Sequence, residues 1–315
     1  MKISVLDAAT LGGDIEFSCF EALGEVEVYD MTKPEQVAER MKDCDVVIVN
    51  KIKLNETNLD NASKLKLICV AATGYDNIDI NYCRGKGIAV CNVVGYSTHC
   101  VAQVTVAMVL SLVNHLTEYD RYVSDGSYTA SGVNNCLIPV YHELCGKTWG
   151  IVGAGNIGGQ VAKAAQAFGC NVIVYKRTKS DKYNCVDLDT LLKNSDVVSI
   201  HLPLNDDTRK IISAEKIALM KSDAIIVNVA RGDVWDEEAV ADAVMSGKIG
   251  ALGCDVYSAE PMSAQHPFNK IMHLDNVCLT PHMAWGGYES RVRCMKEIVN
   301  NIRCFFDGVN HNRIV

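Results

Sequence analysis

The chain has 315 residues, 49% hydrophobic and 22% charged, a balance that supports about two cored domains and excludes a disordered or collagen-like chain. Thirty Lys and Arg against 38 Asp and Glu leave a formal charge of −8, which repels phosphate backbones and argues against a nucleic-acid partner. The 14 cysteines include no C-x-x-C pair, so zinc sites of ribbon or finger type are excluded and no metal is expected.

Asp7 comes too early in the chain for a signal peptide. The longest mostly apolar run, Val101–Val113, is too short to span a bilayer. The expectation is a cytoplasmic protein without a membrane partner, its thiols reduced and mostly buried.

In chain order, short β-rich runs occur at Ile3–Leu6, Val26–Tyr29, Val46–Val49, Leu67–Ala71 and Ile88–Cys91. They are continuously apolar rather than alternating, as strands buried on both faces of a parallel sheet are. Between them Pro34–Lys42 reads as a helix, with Pro early and Val37 and Met41 on one face. A long helix is predicted over Thr98–Leu116, apolar most of the way round and therefore buried. The polar stretch Asp125–Gly146 reads as a loop or arm.

Strand signals recur at Trp149–Val152, Val172–Tyr175, Val197–Ile200, Ala224–Val229, Ala251–Val256 and Val277–Leu279, alternating with helices as in a doubly wound α/β domain. A last helix over Glu289–Phe306 has no strand to join, so it is expected to return to the first domain. The expected domains are residues 1–96 with 287–315, and an inserted 97–286.

Gly153-Ala154-Gly155-Asn156-Ile157-Gly158 follows a predicted strand and opens a helix. That is the context a G-x-G-x-x-G turn needs to bind a dinucleotide pyrophosphate, and it marks the second domain as Rossmann-type. The next strand ends at Tyr175 and is followed by Lys176-Arg177-Thr178-Lys179, where an acid for the ribose hydroxyls is the usual residue. Cations there suit a 2′-phosphate, so NADP(H) is favoured over NAD(H). Arg231, Glu260 and His282 each fall at or just beyond the carboxyl end of a predicted strand, the edge where open α/β sheets bind ligands.

These segments resemble the D-isomer-specific 2-hydroxyacid dehydrogenases, and among them the glycerate dehydrogenase (hydroxypyruvate reductase) group. The resemblance runs along essentially the whole chain. It is carried by Ala72-Thr73-Gly74-Tyr75-Asp76-Asn77-Ile78-Asp79, Gly95-Tyr96-Ser97-Thr98, Val101-Ala102-Gln103, the glycine turn and His201-Leu202-Pro203-Leu204. Asn228-Val229-Ala230-Arg231-Gly232, Asp255-Val256, Glu260-Pro261 and Thr280-Pro281-His282 complete it.

The resemblance implies a flavodoxin-like α/β substrate domain into which the dinucleotide domain is inserted, and a homodimer joined through the Thr98 helix and the arm. Arg231 would bind the carboxylate of a small 2-oxo acid and polarise its carbonyl, His282 would be the acid/base, and Glu260 its partner. The charge that hydride addition builds on oxygen calls for such a proton donor and cation, and a nearby carboxylate favours a charged imidazole. Backbone amides at Thr73-Gly74 would hold the substrate carboxylate, and Trp285 would line the pocket.

His201, Pro203, Val229 and Ala230 would border the NAD(P), and Asp255 would stand near the nicotinamide amide. The expected reaction is reduction of hydroxypyruvate or glyoxylate to a D-2-hydroxy acid. The alternatives are a reductase of bulkier branched or aromatic 2-oxo acids, and a non-enzymatic dinucleotide-sensing corepressor-like protein.

Overall fold

A computed structural model describes residues 1–178 and 180–315. The chain divides into two compact units, Met1–Ser97 with Gly286–Val315, and Thr98–Trp285.

The first unit holds a five-stranded parallel sheet of β1 (Lys2–Val5), β2 (Glu25–Val28), β3 (Val46–Val49), β4 (Leu67–Val70) and β5 (Ala89–Cys91), ordered β2-β1-β3-β4-β5. This is the flavodoxin-like order, and its switch point lies between β1 and β3. Every residue of β3, β4 and β5 is buried, whereas the edge strand β2 exposes Glu25 and Val28. Apolar content without alternation therefore marks burial on two faces, as the sequence suggests.

Asp7, just past β1, is buried, and its carboxylate accepts the backbone N–H groups of Asn50, Lys51 and Ile52, the shortest at 2.6 Å. It fixes the loop leaving β3. The helix Tyr288–Phe306 belongs to this unit and buries Cys294, Met295, Ile298 and Ile302. Beyond it Arg313 bridges Cys91 in antiparallel fashion, and the Ile314 N–H donates to the Val90 carbonyl at 2.8 Å.

The second unit holds a six-stranded parallel sheet, β6 (Thr148–Val152), β7 (Asn171–Tyr175), β8 (Val197–Ile200), β9 (Ile225–Asn228), β10 (Ala251–Cys254) and β11 (Val277–Leu279), ordered β11-β10-β9-β8-β6-β7. A single parallel rung, Val174 to Cys185, continues it outside β7. Counting that rung, the order is the dinucleotide-binding one, reversing between β6 and β8. One face packs on the helix Thr98–Val113 through Val101, Met108, Val109 and Leu112, and the other on Leu188, Leu191 and Val240.

Two helices depart from expectation. The Thr98 helix ends at Val113, His115 takes φ 51°, and a second helix, Leu116–Ser124, leaves at 62° to the first. Histidine is among the few non-glycine types that visit this left-handed region readily, and here its ring meets Glu118 at 3.1 Å. Pro34–Lys42 starts as a 3-10 turn, Pro34–Gln36, before the α-helix Val37–Met41, which buries Val37 and Met41 as expected. The arm contains one short helix, Ser127–Ser131.

Candidate active site

The three glycines of the turn after β6 meet three different constraints. Gly153 has φ 95°, where a side chain is strained, and a Cβ on it would also press the His201 carbonyl at 3.0 Å. A Cβ on Gly158 would fall 2.1 Å from the Gly153 carbonyl oxygen, so the helix Asn156–Ala167 can lie this close to the turn only with glycine there. A Cβ on Gly155 would meet nothing within 4 Å.

Open space above Gly155, at the N-terminus of a 12-residue helix, is the cradle that a pyrophosphate fills. Ala154 and Ile157 pack inward on the core while Asn156 is exposed. The residues present fit a dinucleotide.

Around this turn the sheet brings several predicted residues together. The Gly153 N–H donates to the Tyr175 carbonyl at 2.8 Å, which sets the end of β7, with Lys176 half-buried and Arg177 exposed, beside the turn. Lys179 lies outside the described residues. On the other side His201 follows β8, its Nε2 3.0 Å from the Ser199 hydroxyl, which also accepts from Trp149 Nε1 at 3.0 Å. Burial pushes the His201 imidazole down to about 3, so the ring is neutral. Pro203 is exposed, Val229 is buried, and the Ala230 N–H is held by Asn228 Oδ1 at 2.9 Å.

Arg231, Glu260 and His282 follow β9, β10 and β11, three strands paired in succession. Arg231 has extended backbone, φ −148°, and its Nη1 donates to the Ala230 carbonyl at 2.8 Å. The next residue is Gly232, where a Cβ would stand 2.1 Å from both Ser258 N and Tyr257 C. Glycine there lets the turn carrying Glu260 pack directly on the backbone beside Arg231. Glu260 Oε1 accepts the Tyr257 N–H at 3.1 Å, and its Oε2 lies 2.7 Å from His282 Nδ1.

His282 itself has φ 53°, and its N–H donates to the Thr280 carbonyl at 3.1 Å. Asp255 explains how the turn is held there. It is 1% exposed, and its carboxylate accepts the Thr280 hydroxyl and the N–H groups of Met283 and Ala284, both at 2.9 Å. Trp285 is half-buried and packs against the core beneath the Thr98 helix.

Thr73 and Gly74 belong to the first unit. Thr73 is tied by its hydroxyl to the Val93 carbonyl at 2.8 Å and by its own carbonyl to Asn92 Nδ2 at 2.7 Å. Asn301, from the Tyr288 helix, donates in turn to the Asn92 carbonyl at 2.8 Å. Asn92 and Asn301 escape a reading of the sequence, as does Tyr257. Each is an ordinary polar residue whose partner lies far along the chain.

A parallel sheet whose order reverses beside an open glycine turn is the dinucleotide-binding fold, and a histidine–carboxylate pair at neighbouring strand ends equips it as an oxidoreductase. The family model described as the D-isomer specific 2-hydroxyacid dehydrogenase, NAD binding domain, matches residues 106–284. The chain belongs to the D-isomer specific 2-hydroxyacid dehydrogenase family.

It is 38% identical over 319 residues to the hydroxypyruvate reductase of Blautia hydrogenotrophica, covering 98% of each chain. It is 33% identical to the glycerate dehydrogenase of Methylorubrum extorquens, covering 99% of this chain and 98% of that one. Among solved structures, D-lactate dehydrogenase from Aquifex aeolicus, complexed with NAD and lactic acid, superposes with a TM-score of 0.84 at 32% identity, covering 98% of this chain and 96% of that one.

Proposed function

We propose that this protein reduces small 2-oxo acids, hydroxypyruvate and glyoxylate foremost, to D-2-hydroxy acids. The observation that carries the reading is the 2.7 Å pair of His282 and Glu260 at strand ends adjoining that of Arg231. The names of the relatives point to the same substrates. A bound nicotinamide dinucleotide supplies the hydride for C2.

Arg231 contributes a fixed cation that holds the substrate carboxylate and polarises the carbonyl. As negative charge builds on the carbonyl oxygen, His282 gives it the proton on Nε2. Glu260, at Nδ1, orients the ring and favours its charged form before the transfer. Asp255 serves this step by holding residues 280–284, and Trp285 by shaping the apolar side of the pocket.

NADPH is the proposed donor in preference to NADH. Lys176 and Arg177 follow β7 where an acid would repel a 2′-phosphate, and in a chain of net charge −8 such local cations must hold the anion. Turnover of NADH and NADPH with hydroxypyruvate, glyoxylate, pyruvate and phenylpyruvate tests these statements together. NADPH should be the better donor, and hydroxypyruvate and glyoxylate the better acceptors. Faster turnover with NADH throughout would overturn the reading of Lys176 and Arg177. No oxidation of either donor with any acid would overturn the enzyme.

The proposed assembly is a homodimer. Support comes from the arm and the bent helix before it, which expose Leu116, Val123, Val133, Leu137, Ile138 and Val140, an apolar run that a monomer leaves in water. Sedimentation should give twice the mass of one chain, and a single-chain mass would sink it. The proposed location is the cytoplasm, a reducing compartment that suits 14 free thiols.

A further inference from the structure

Beneath the turn that carries Glu260 lies a buried polar cluster with no part in the chemistry above. Glu237 opens the helix Glu237–Met245 and is 8% exposed. Its Oε1 accepts the Ser258 N–H at 2.8 Å, and its Oε2 accepts the Ser258 hydroxyl. Oε2 also stands 3.1 Å from His266 Nε2, within ion-pair reach although off the line of a hydrogen bond.

His266 is 5% exposed, and its Nδ1 accepts the Phe268 N–H at 3.2 Å, which leaves the ring proton on Nε2, facing Glu237. The His266 ring lies edge-on to Tyr257 and Phe268, with centroids 5.6 and 5.1 Å away. A carboxylate this deep is tolerated only when donors face its oxygens, and a helix N-terminus adds to the favourable field. Everything Glu237 accepts comes from the segment that follows β10.

Tyr257 links this cluster to the reacting pair. Its N–H donates to Glu260 Oε1 at 3.1 Å, and its hydroxyl donates at 2.9 Å to the Thr280 carbonyl, the same oxygen that receives the His282 N–H. One residue thus holds both the carboxylate and the histidine turn. The titratable groups bonded to residues 280–284 include Glu260, Asp255 and Tyr257.

We propose that Glu237, Ser258, His266 and Tyr257 are positioning residues that aim Glu260 at His282. The proposal rests on the reading of His282 as the proton donor. With glutamine at 237 one carboxylate oxygen becomes an NH2 group, so Ser258 keeps one acceptor in place of two, the negative charge facing His266 is gone, and the 257–260 turn gains freedom. The 2.7 Å contact then lengthens in part of the population, and fewer molecules hold a charged, oriented imidazole.

The test measures kcat against pH for 2-oxo acid reduction at saturating dinucleotide, with dinucleotide Kd and Tm, in wild type, Glu260→Gln, Glu237→Gln and Tyr257→Phe. Glu237→Gln should lower kcat roughly tenfold and move the alkaline limit of reduction downward, in the same direction as Glu260→Gln but less far. Dinucleotide Kd should stay within about twofold, because the glycine turn is untouched.

Tyr257→Phe keeps the ring and removes one hydrogen bond, so it should shift the limit in the same direction, and it decides the matter if Glu237→Gln does not fold. A lower Tm with kcat and the alkaline limit unchanged would show a cluster that only stabilises, and the proposal would fall while the reading of His282 stands. An unchanged profile in Glu260→Gln would overturn that reading, and the proposal with it.

Discussion

His282 holds φ 53°, a left-handed conformation that costs a non-glycine residue about 1–3 kcal/mol. The surrounding turn offsets that cost through the three hydrogen bonds to Asp255 and the Tyr257 hydroxyl on Thr280. Such strain is kept where a side chain has to point one way, here at Glu260. His201 shows the opposite device, a ring held neutral. An unfolded chain takes up a proton at His201 near 6.5, whereas the folded one resists it down to about 3. The folded state therefore binds fewer protons across that window, and its stability is lost as pH falls through it.

At pH 5 the loss from His201 is at most about 2 kcal/mol, reduced by partial solvation of the ring. Urea titrations at pH 7 and pH 5 should show it, and His201→Gln should remove most of that difference. At this scale the sequence made Arg231, Glu260 and His282 legible, because each stands alone after a strand. It did not make Asp255 legible as a clamp on its own turn, because strand spacing places a residue at an edge without naming the atoms it meets. Glu237 and His266 are hidden for the same reason: 29 positions apart, they meet only once the loop has folded back.

Among the elements, the eleven strands of the described residues were readable within a residue or two, since continuous apolar runs have few other uses in a chain of this polarity. The rung at Cys185 was not, because one residue of pairing leaves no pattern. Nor was the break at His115, where the apolar pattern continues while the backbone turns. The glycine turn allows a sharper test than its motif suggests. Gly158→Ala would drive a methyl into the Gly153 carbonyl and should lower Tm together with dinucleotide affinity. Gly155→Ala has open space for its methyl and should leave Tm within about 1–2 °C, since it adds no buried clash. It should still weaken dinucleotide binding, measured by fluorescence titration. Equal affinity in Gly155→Ala and wild type would mean that the backbone there is not approached.

Across the whole molecule the thiols divide by burial. Burial pushes Cys83 and Cys91 up to about 11 and Cys294 up to about 12, and Cys69 and Cys254 are raised as well, so these five stay protonated and slow to react. Cys19 and Cys145 are exposed. Alkylation of the native protein at pH 8, read by peptide mass, should label Cys19, which lies outside the arm, and reach those five only in denaturant. Early labelling of Cys294 would mean that the Tyr288 helix opens from β4 in the native state.

That helix has a consequence for biosynthesis. The first unit needs residues 286–315 to finish it, yet the ribosome makes residues 98–285 in between. At roughly 5–20 residues per second, β4 and β5 wait about 10–40 s for the helix and the terminal rung on β5. The later-made unit, continuous in the chain, can close before the earlier one. The amino-terminal part of the first unit thus spends its first moments outside the ribosome as an unfinished sheet, dependent on whatever shields sticky nascent chains in the cell.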